Sequence, residues 1–224
     1  MAAVFAALYF VLRSLPVFPM IGISGRFTAG DILLTTIVLV AGLWSGVVSV
    51  LIGTIVAYPL SGTPFLGLDF LPGVMNILIT GLVLQNRRRI AAGIYAVVLL
   101  VFIANPYSLL FAYGYVPYAW LHILGLIVLC SPLVASIPVW VKRTDGRQFA
   151  AIAALAFVGT MAQHLTGGLL FEFTLGLVQG STTEVLRHIW QIIFWVYPTE
   201  RLVIVVISSL ISAGLLRSIR RLSL

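Results

Sequence analysis

Few side chains of this sequence could do chemistry, and two of them lie in a long apolar segment. His164 is flanked by Gln163 and Thr166, and Glu172 follows eight residues later. This spacing places both ionisable groups near one face of a helix. Because such groups are costly at membrane depth, they predict a binding site. The alternatives are a hydrogen bond between helices for His164 and a solvated position at the rim for Glu172.

Three further side chains extend the predicted site. Asn76 lies in an apolar segment and carries a polar amide, which could bind a solute or join two helices. Arg187 and Trp190 lie within one turn on a short helix predicted at 183–196, at the outer face. They could bind a substrate by charge and stacking, or anchor that helix at the membrane interface.

Motifs of known enzymes are nearly absent from the sequence. It contains no P-loop, no Gly-x-Ser-x-Gly and no His-Glu-x-x-His. The three histidines are far apart, and none has a carboxylate or thiol at the spacing of a metal site. We therefore predict no catalytic residues, no metal and no cofactor. Any active transport would draw its energy from a partner or an ion gradient.

The composition decides the class of protein that must hold these side chains. Of 224 residues, 61% are hydrophobic and 8% are charged, against about 25% charged in an ordinary soluble domain. So few charges cannot cover the surface of a soluble enzyme, and a disordered chain is excluded for the same reason. The prediction is an all-α, polytopic transmembrane helical bundle that forms a single domain over 1–224.

The net charge of +7 is unevenly distributed along the sequence. Nine of the 13 lie in three clusters that contain a single acid, whereas the other four share their segments with five acids. This asymmetry is typical of the positive-inside rule, so nucleic acid is not needed to explain the charge. The clusters predict cytoplasmic loops and cytoplasmic N- and C-termini. They comprise Arg87, Arg88, Arg89, then Lys142, Arg143, Arg147, then Arg217, Arg220, Arg221.

The apolar segments predict about eight membrane crossings in a multi-pass protein of the plasma membrane. Residues 32–60 are too long for one untilted crossing, and the Gly-rich stretch 42–46 divides them into two helices. A single tilted helix there would give seven crossings and an N-terminus outside. The remaining crossings are predicted at 2–15, 70–86, 90–105, 117–141, 148–171 and 200–221.

Several of these segments resemble a known family of transport proteins. The first helix has small residues at Ala2, Ala3, Ala6 and Ala7, which allow close approach of another helix. Together with the glycine-rich stretch 41–53, the segment 70–81 and the terminal helix 198–221, it is similar to the substrate-binding membrane subunit (S component) of energy-coupling factor (ECF) transporters.

The resemblance implies a function and a set of partners. The alanine face would dock on a transmembrane coupling subunit, which joins ATPase subunits, and the substrate would be a vitamin or another small organic cofactor. That family usually has six helices, which is a further alternative for the number of crossings. The leading hypothesis is a solute-binding subunit in a prokaryotic plasma membrane, with its site beneath loops 16–31 and 61–69.

Two other functions compete with this hypothesis. A structural or assembly subunit of a larger membrane complex would use the same alanine face, and its polar groups would only join helices. A membrane-embedded enzyme acting on lipids would use His164 and Glu172 as acid and base.

Overall fold

The computed structural model describes residues 1–222, so the last two residues of the predicted single domain lie outside the described part. Over that range about 75% of the chain is helical. Two short antiparallel hairpins are formed, one by Pro16–Pro19 with Arg26–Thr28 and one by Phe111–Ala112 with Val116–Pro117. The elements are α1 (Ala2–Arg13), β1 (Pro16–Pro19), β2 (Arg26–Thr28), a 3-10 turn (Ala29–Leu33), α2 (Leu34–Ala41), α3 (Leu43–Ser61), α4 (Leu71–Leu84), α5 (Arg88–Ala104), β3 (Phe111–Ala112), β4 (Val116–Pro117), α6 (Trp120–Cys130), α7 (Pro132–Trp140), α8 (Gly146–Glu172), a π-helical segment (Phe173–Val178), α9 (Thr183–Ile193) and α10 (Val196–Leu222).

The chain is an all-α protein with helices of membrane-spanning length. Within the described residues, three helical stretches are long and apolar enough to cross a bilayer, at Leu43–Ser61, Gly146–Val178 and Val196–Arg221. A fourth crossing results if the bent pair α6 and α7 counts as one span. The shorter helices α1 and α4 are apolar as well. Eight crossings and cytoplasmic termini stay predictions.

Helix α8 lies at the centre of the bundle. Of its most apolar stretch 67% is buried, against 28% for α10, whose outer face is left for lipid. Helices α4, α5, α6, α7 and α10 all pack on α8. Its contact with α4 is close because Gly159 faces Asn76 and Thr80, where a Cβ would lie within 2.6 Å of both side chains.

Helix α1 packs into a groove of small residues on α3. The hydroxyl of Ser49 donates a hydrogen bond to the carbonyl of Ala2 at 3.0 Å. One helical turn further, a Cβ at Gly53 would lie 2.8 Å from the carbonyl oxygen of Ala6. Small residues therefore allow the two helices to touch along their backbones.

The predicted division of 32–60 is confirmed. Helix α2 ends and α3 begins at Gly42, whose φ of 80° is accessible to glycine at no steric cost. Helix α2 alone has eight residues and a length of about 12 Å, which is too short to cross a bilayer.

Two predicted helix boundaries are wrong, and both involve proline. The helix expected over 117–141 is broken at Ser131, with a bend of 67° between α6 and α7. Pro132 holds the preceding residue in an extended conformation, with ψ of 157°. The last helix begins at Val196 rather than near residue 200. Pro198 is tolerated there because the first turn of a helix needs no N–H donor.

The basic clusters gather at helix C-termini. Arg88 donates a hydrogen bond to the carbonyl of Ser131 at the end of α6, at 3.0 Å. Arg220 donates to the carbonyls of Val141 and Arg143 just beyond α7, both at 2.7 Å. The carbonyls of Val141 and Arg143 follow the last turn of α7, at the negative end of its dipole, whereas Ser131 lies between α6 and α7. We call the end of the bundle that contains these arginines, with Arg143 and Arg217, the basic end.

Candidate functional site

A cavity of about 140 Å³ lies at the opposite end of the bundle from the basic end. A volume of 10–15 Å³ by the same measure holds one water, so a small organic molecule fits. The cavity lies beneath the β1–β2 hairpin and the loop 62–70, and the ends of α8 and α10 form its floor. Its aromatic and charged walls include Tyr9, Arg13, Arg26, Phe27, Asp31, Phe65, Asp69, His164, Phe171, Trp190, Tyr197, Glu200 and Arg201.

The two loops above the cavity are held by their own hydrogen bonds. In the hairpin, the N–H of Met20 donates to the carbonyl of Gly25 at 2.9 Å. In loop 62–70, the N–H of Phe65 donates to Oδ1 of Asp69 at 3.2 Å. The hydroxyl of Tyr58 on α3 donates to the carbonyl of Gly67 at 2.6 Å, which ties this loop to the bundle.

The loops also contact each other and the helices beside them. A Cβ at Gly25 would lie 3.0 Å from the side chain of Pro64, so the hairpin touches loop 62–70. Gly22, with φ of 89°, lies equally close to Ile189 on α9. These contacts hold the hairpin and loop 62–70 together over part of the cavity.

Charged side chains are buried in the cavity wall. Arg201 on α10 is 2% exposed, forms an ion pair with Glu200 at 2.8 Å, and lies over the ring of Phe27 at 5.0 Å from its centroid. On the other side, Arg13 donates to the backbone carbonyl of Asp69 at 3.4 Å. Among residues 1–222, the Nε atoms of both arginines and Oδ2 of Asp69 are buried without a hydrogen-bond partner. Such orphaned groups cost free energy unless another molecule satisfies them.

Two rings that line the cavity, His164 and Tyr197, pack against each other and against the buried ring of His122. Nδ1 of His164 lies 2.8 Å from Nε2 of His122, a hydrogen bond between α8 and α6. The ring of His164 also stacks on Tyr197, with 4.9 Å between centroids. The hydroxyl of Tyr197 donates to the carbonyl of Tyr118 at 2.7 Å, and this hydrogen bond holds the Tyr197 ring in place.

Two of the five predicted site residues, His164 and Trp190, line the cavity. Asn76 lies between helices instead, where its amide donates to Oε1 of Gln163 at 3.0 Å. Gln163 itself reaches the cavity. Asn76 therefore positions a neighbour of the cavity without lining it.

The other two predicted residues hold the segment that follows α5. Glu172 is fully buried and accepts a hydrogen bond from the hydroxyl of Ser108 at 2.6 Å. Arg187 donates to the carbonyl of Pro106 at 3.0 Å. Neither is part of the cavity wall. His164 bonds to His122 and Glu172 to Ser108, so each of the two groups that the lipid-enzyme hypothesis pairs has another partner in this structure.

The alanines of α1 do not share one face. Ala6 is buried, and the backbones of Ala2 and Ala6 contact α3. Ala3 and Ala7 lie on the exposed side of the helix. A partner protein could therefore contact the second pair, whereas the first is used within the chain.

None of the acidic residues and arginines that line the cavity is among the site residues predicted from the sequence. They are Arg13, Arg26, Asp31, Asp69, Glu200 and Arg201. A signal was present, because these residues are the acids and bases that share segments outside the basic clusters. His122 and Tyr197 carried no such signal, since only the fold brings them to His164.

The fold and the cavity define a helical protein with helices of membrane-spanning length and, at one end, a partly open cavity whose wall is largely apolar and carries several charged side chains. Within the described residues, no group of three or more His, Cys, Asp or Glu side chains could hold a metal ion. Comparison with family models, with curated proteins and with solved structures finds no match for this chain.

Proposed function

We propose that this chain is the solute-binding membrane subunit of an ATP-driven uptake transporter of the ECF type, with a vitamin or another small organic cofactor as its substrate. The observation that carries the proposal is the covered cavity between the two loops and the ends of α8 and α10. Ligand sites are typically concave, largely apolar and equipped with a few convergent polar groups. A subunit that only joins helices needs no such cavity.

The distribution of charge supports an outward-facing site. Arg201 lies in the cavity, and Arg217 lies 16 residues further along the same helix at the basic end. Sixteen residues of helix span roughly 24 Å, close to the thickness of the hydrocarbon core. By the positive-inside rule the basic end faces the cytoplasm of a prokaryotic cell, so the cavity opens toward the outside.

The partners follow from the same proposal. The chain carries no nucleotide-binding motif, so a coupling subunit and ATPase subunits would supply the energy of transport. Ala3 and Ala7, together with the exposed side chains Val4, Leu8 and Val11, form an apolar surface on α1 where the coupling subunit would dock.

The proposal is tested with two matched glycine variants. Gly167 lines the cavity, and the nearest atom to an added Cβ is 3.8 Å away, so Gly167→Leu fills the cavity without a backbone clash. Gly93 is exposed on α5 with open space around it, so Gly93→Leu is the control.

The chain and both variants are purified in a mild detergent from a prokaryotic membrane and analysed by native mass spectrometry. We expect a bound small molecule in the unmodified chain and in Gly93→Leu, and its loss in Gly167→Leu. ATPase subunits should co-purify with all three. A chain that retains neither a small molecule nor an ATPase partner contradicts the proposal.

A further inference from the structure

The cavity wall contains one carboxylate that the protein leaves without a partner. Asp31 lines the cavity and is 8% exposed. Within residues 1–222, no group donates a hydrogen bond to its carboxylate, and no Lys, Arg or His nitrogen lies within 4.0 Å of it. The side chain is largely buried, but its oxygen atoms remain accessible from the cavity, where they can accept a group of another molecule.

The position of Asp31 is firmly set. It lies in the 3-10 turn that leads into α2, and its neighbour Gly30 packs so tightly on α1 that a Cβ would lie 3.1 Å from the ring of Tyr9. The start of a helix offsets part of the cost of the negative charge. It does not replace a counter-charge, because the helix dipole contributes less than an ion pair in a water-poor site.

The other buried charges of the wall already have neighbours of opposite sign. Glu200 forms an ion pair with Arg201, and Asp69 lies beside Arg13. Arg201 is further engaged by the ring of Phe27. Arg26, the remaining cation of the wall, is exposed to water and therefore loses less by staying unpaired than Asp31 does, so a cationic group would meet the one largely buried carboxylate that has no counter-charge.

The rest of the wall suits a cation on an aromatic body. Trp190, Phe171 and Tyr197 line the same cavity, and the faces of such rings attract cations and stack on flat ligands. We propose that the substrate of this site is an aromatic or heteroaromatic molecule with a positively charged nitrogen that pairs with Asp31. This inference rests on the proposed function and adds the chemical class of its substrate.

Three probes of similar size test the inference: benzylammonium, benzyl alcohol and benzoate. Their affinities for the purified full chain are measured by calorimetry after any retained small molecule has been removed. We expect benzylammonium to bind at least about tenfold more tightly than the neutral alcohol, which is the range of one hydrogen bond to a charged group. Benzoate should bind more weakly than either.

Two isosteric variants assign the preference to one residue. In Asp31→Asn the preference for benzylammonium over benzyl alcohol should fall to about threefold or less. Asp145→Asn, a matched change at the basic end, should leave it unchanged. The unmodified chain gives the selectivity even if Asp31→Asn does not fold.

Three outcomes overturn the inference: benzoate binds as tightly as benzylammonium, the preference survives in Asp31→Asn, or no probe binds. The proposed function stands in each case if the chain as purified retains a small molecule and its ATPase partner. If the chain retains neither, the proposed function fails as well.

Discussion

Each end of this molecule contains an ion pair, but one pair is exposed and the other is buried. At the basic end, Arg143 and Asp145 form an ion pair at 2.9 Å in which each side chain is 45% exposed. At the cavity end, Arg201 and Glu200 form one at 2.8 Å in which the side chains are 2% and 8% exposed. Water screens the first pair, so this pair has little effect on stability. In the second pair each side chain needs the opposite charge of its partner, because a lone charge is costly at that burial. Burial, and not distance, therefore distinguishes the ion pair at the basic end from the ion pair in the cavity wall.

The largest expected effect comes from removing one partner of the buried pair. Glu200→Gln leaves the guanidinium of Arg201 buried with no counter-charge at 2.8 Å. We expect the free energy of unfolding to fall by about 3 kcal/mol. The measurement is unfolding by a denaturing detergent, followed by circular dichroism.

Two variants control this prediction. Asp145→Asn, in the exposed pair, should lower the unfolding midpoint at neutral pH much less than Glu200→Gln does. The double variant Glu200→Gln with Arg201→Met should recover part of the loss, because no buried charge then remains without a partner. Equal sensitivity of the two ion pairs would break the comparison between the ends.

A smaller effect is expected midway between the ends. The amides of Asn76 and Gln163 join α4 to α8 by a buried hydrogen bond of 3.0 Å. A double-mutant cycle with Asn76→Leu and Gln163→Leu should give a coupling energy of about 0.6 kcal/mol, the average for such bonds in a membrane protein. A coupling as large as the effect of Glu200→Gln would mean that burial alone, without charge, explains the difference.

At the basic end, the effect of one arginine should be smaller again. Arg220 donates to the carbonyls of Val141 and Arg143, both at 2.7 Å. Removing a cation from a helix C-terminus costs about 0.3–1 kcal/mol at a surface, so Arg220→Gln should lower the free energy of unfolding by no more than this. A loss that persists undiminished at high salt would contradict the surface character of this end.

The sequence predicts the architecture well where composition and punctuation act locally. The break at Gly42 and the end of α5 before Pro106 follow from residues that favour the end of a helix, a glycine at positive φ and the residue that precedes a proline. Pro132 also indicates a helix boundary, but the residues around it are apolar and therefore equally compatible with one continuous helix. The asymmetry of the basic clusters is visible for the same reason, since it depends on chain order alone.

The site is less predictable because it depends on contacts between distant segments. His122 and His164 are 42 residues apart, and Arg13 and Asp69 are 56 apart, yet each pair is joined in the fold. Glu172 and Asn76 are polar residues in apolar segments, as a binding residue would be, but each is used by a neighbouring helix or loop. Residue type identifies a polar group at depth, and only packing decides whether it faces a cavity.

The smallest effects concern pH, and here the two ends should differ in sign. Burial raises the pKa of Asp69, in the loop outside the spanning helices, and the N–H of Phe65 and the charge of Arg13 only partly oppose this. For Asp145 the desolvation that raises the pKa is outweighed by the hydrogen bond and charge of Arg143 together with the N–H and charge of Arg147, so its pKa is lowered.

The direction of each pKa shift sets how stability depends on pH. A raised pKa in the folded state means that the contribution of Asp69 is fully present below its ordinary pKa of 3.8 and is lost as the pH rises through the folded value. The contribution of Asp145 is present above 3.8 and is lost as the pH falls through its lowered value. Asp69→Asn should therefore remove a loss of stability on the alkaline side, and Asp145→Asn a loss on the acid side.

Thermal unfolding in detergent between about pH 3 and pH 8 measures both effects against the unmodified chain. The two difference curves should slope in opposite directions, because one carboxylate is held away from water and the other is held beside a cation in water. If both curves slope the same way, Asp69 is solvated in the folded protein. The loop above the cavity would then not exclude water, and the contrast between a buried end and an exposed end would fail where it matters most, at the site itself.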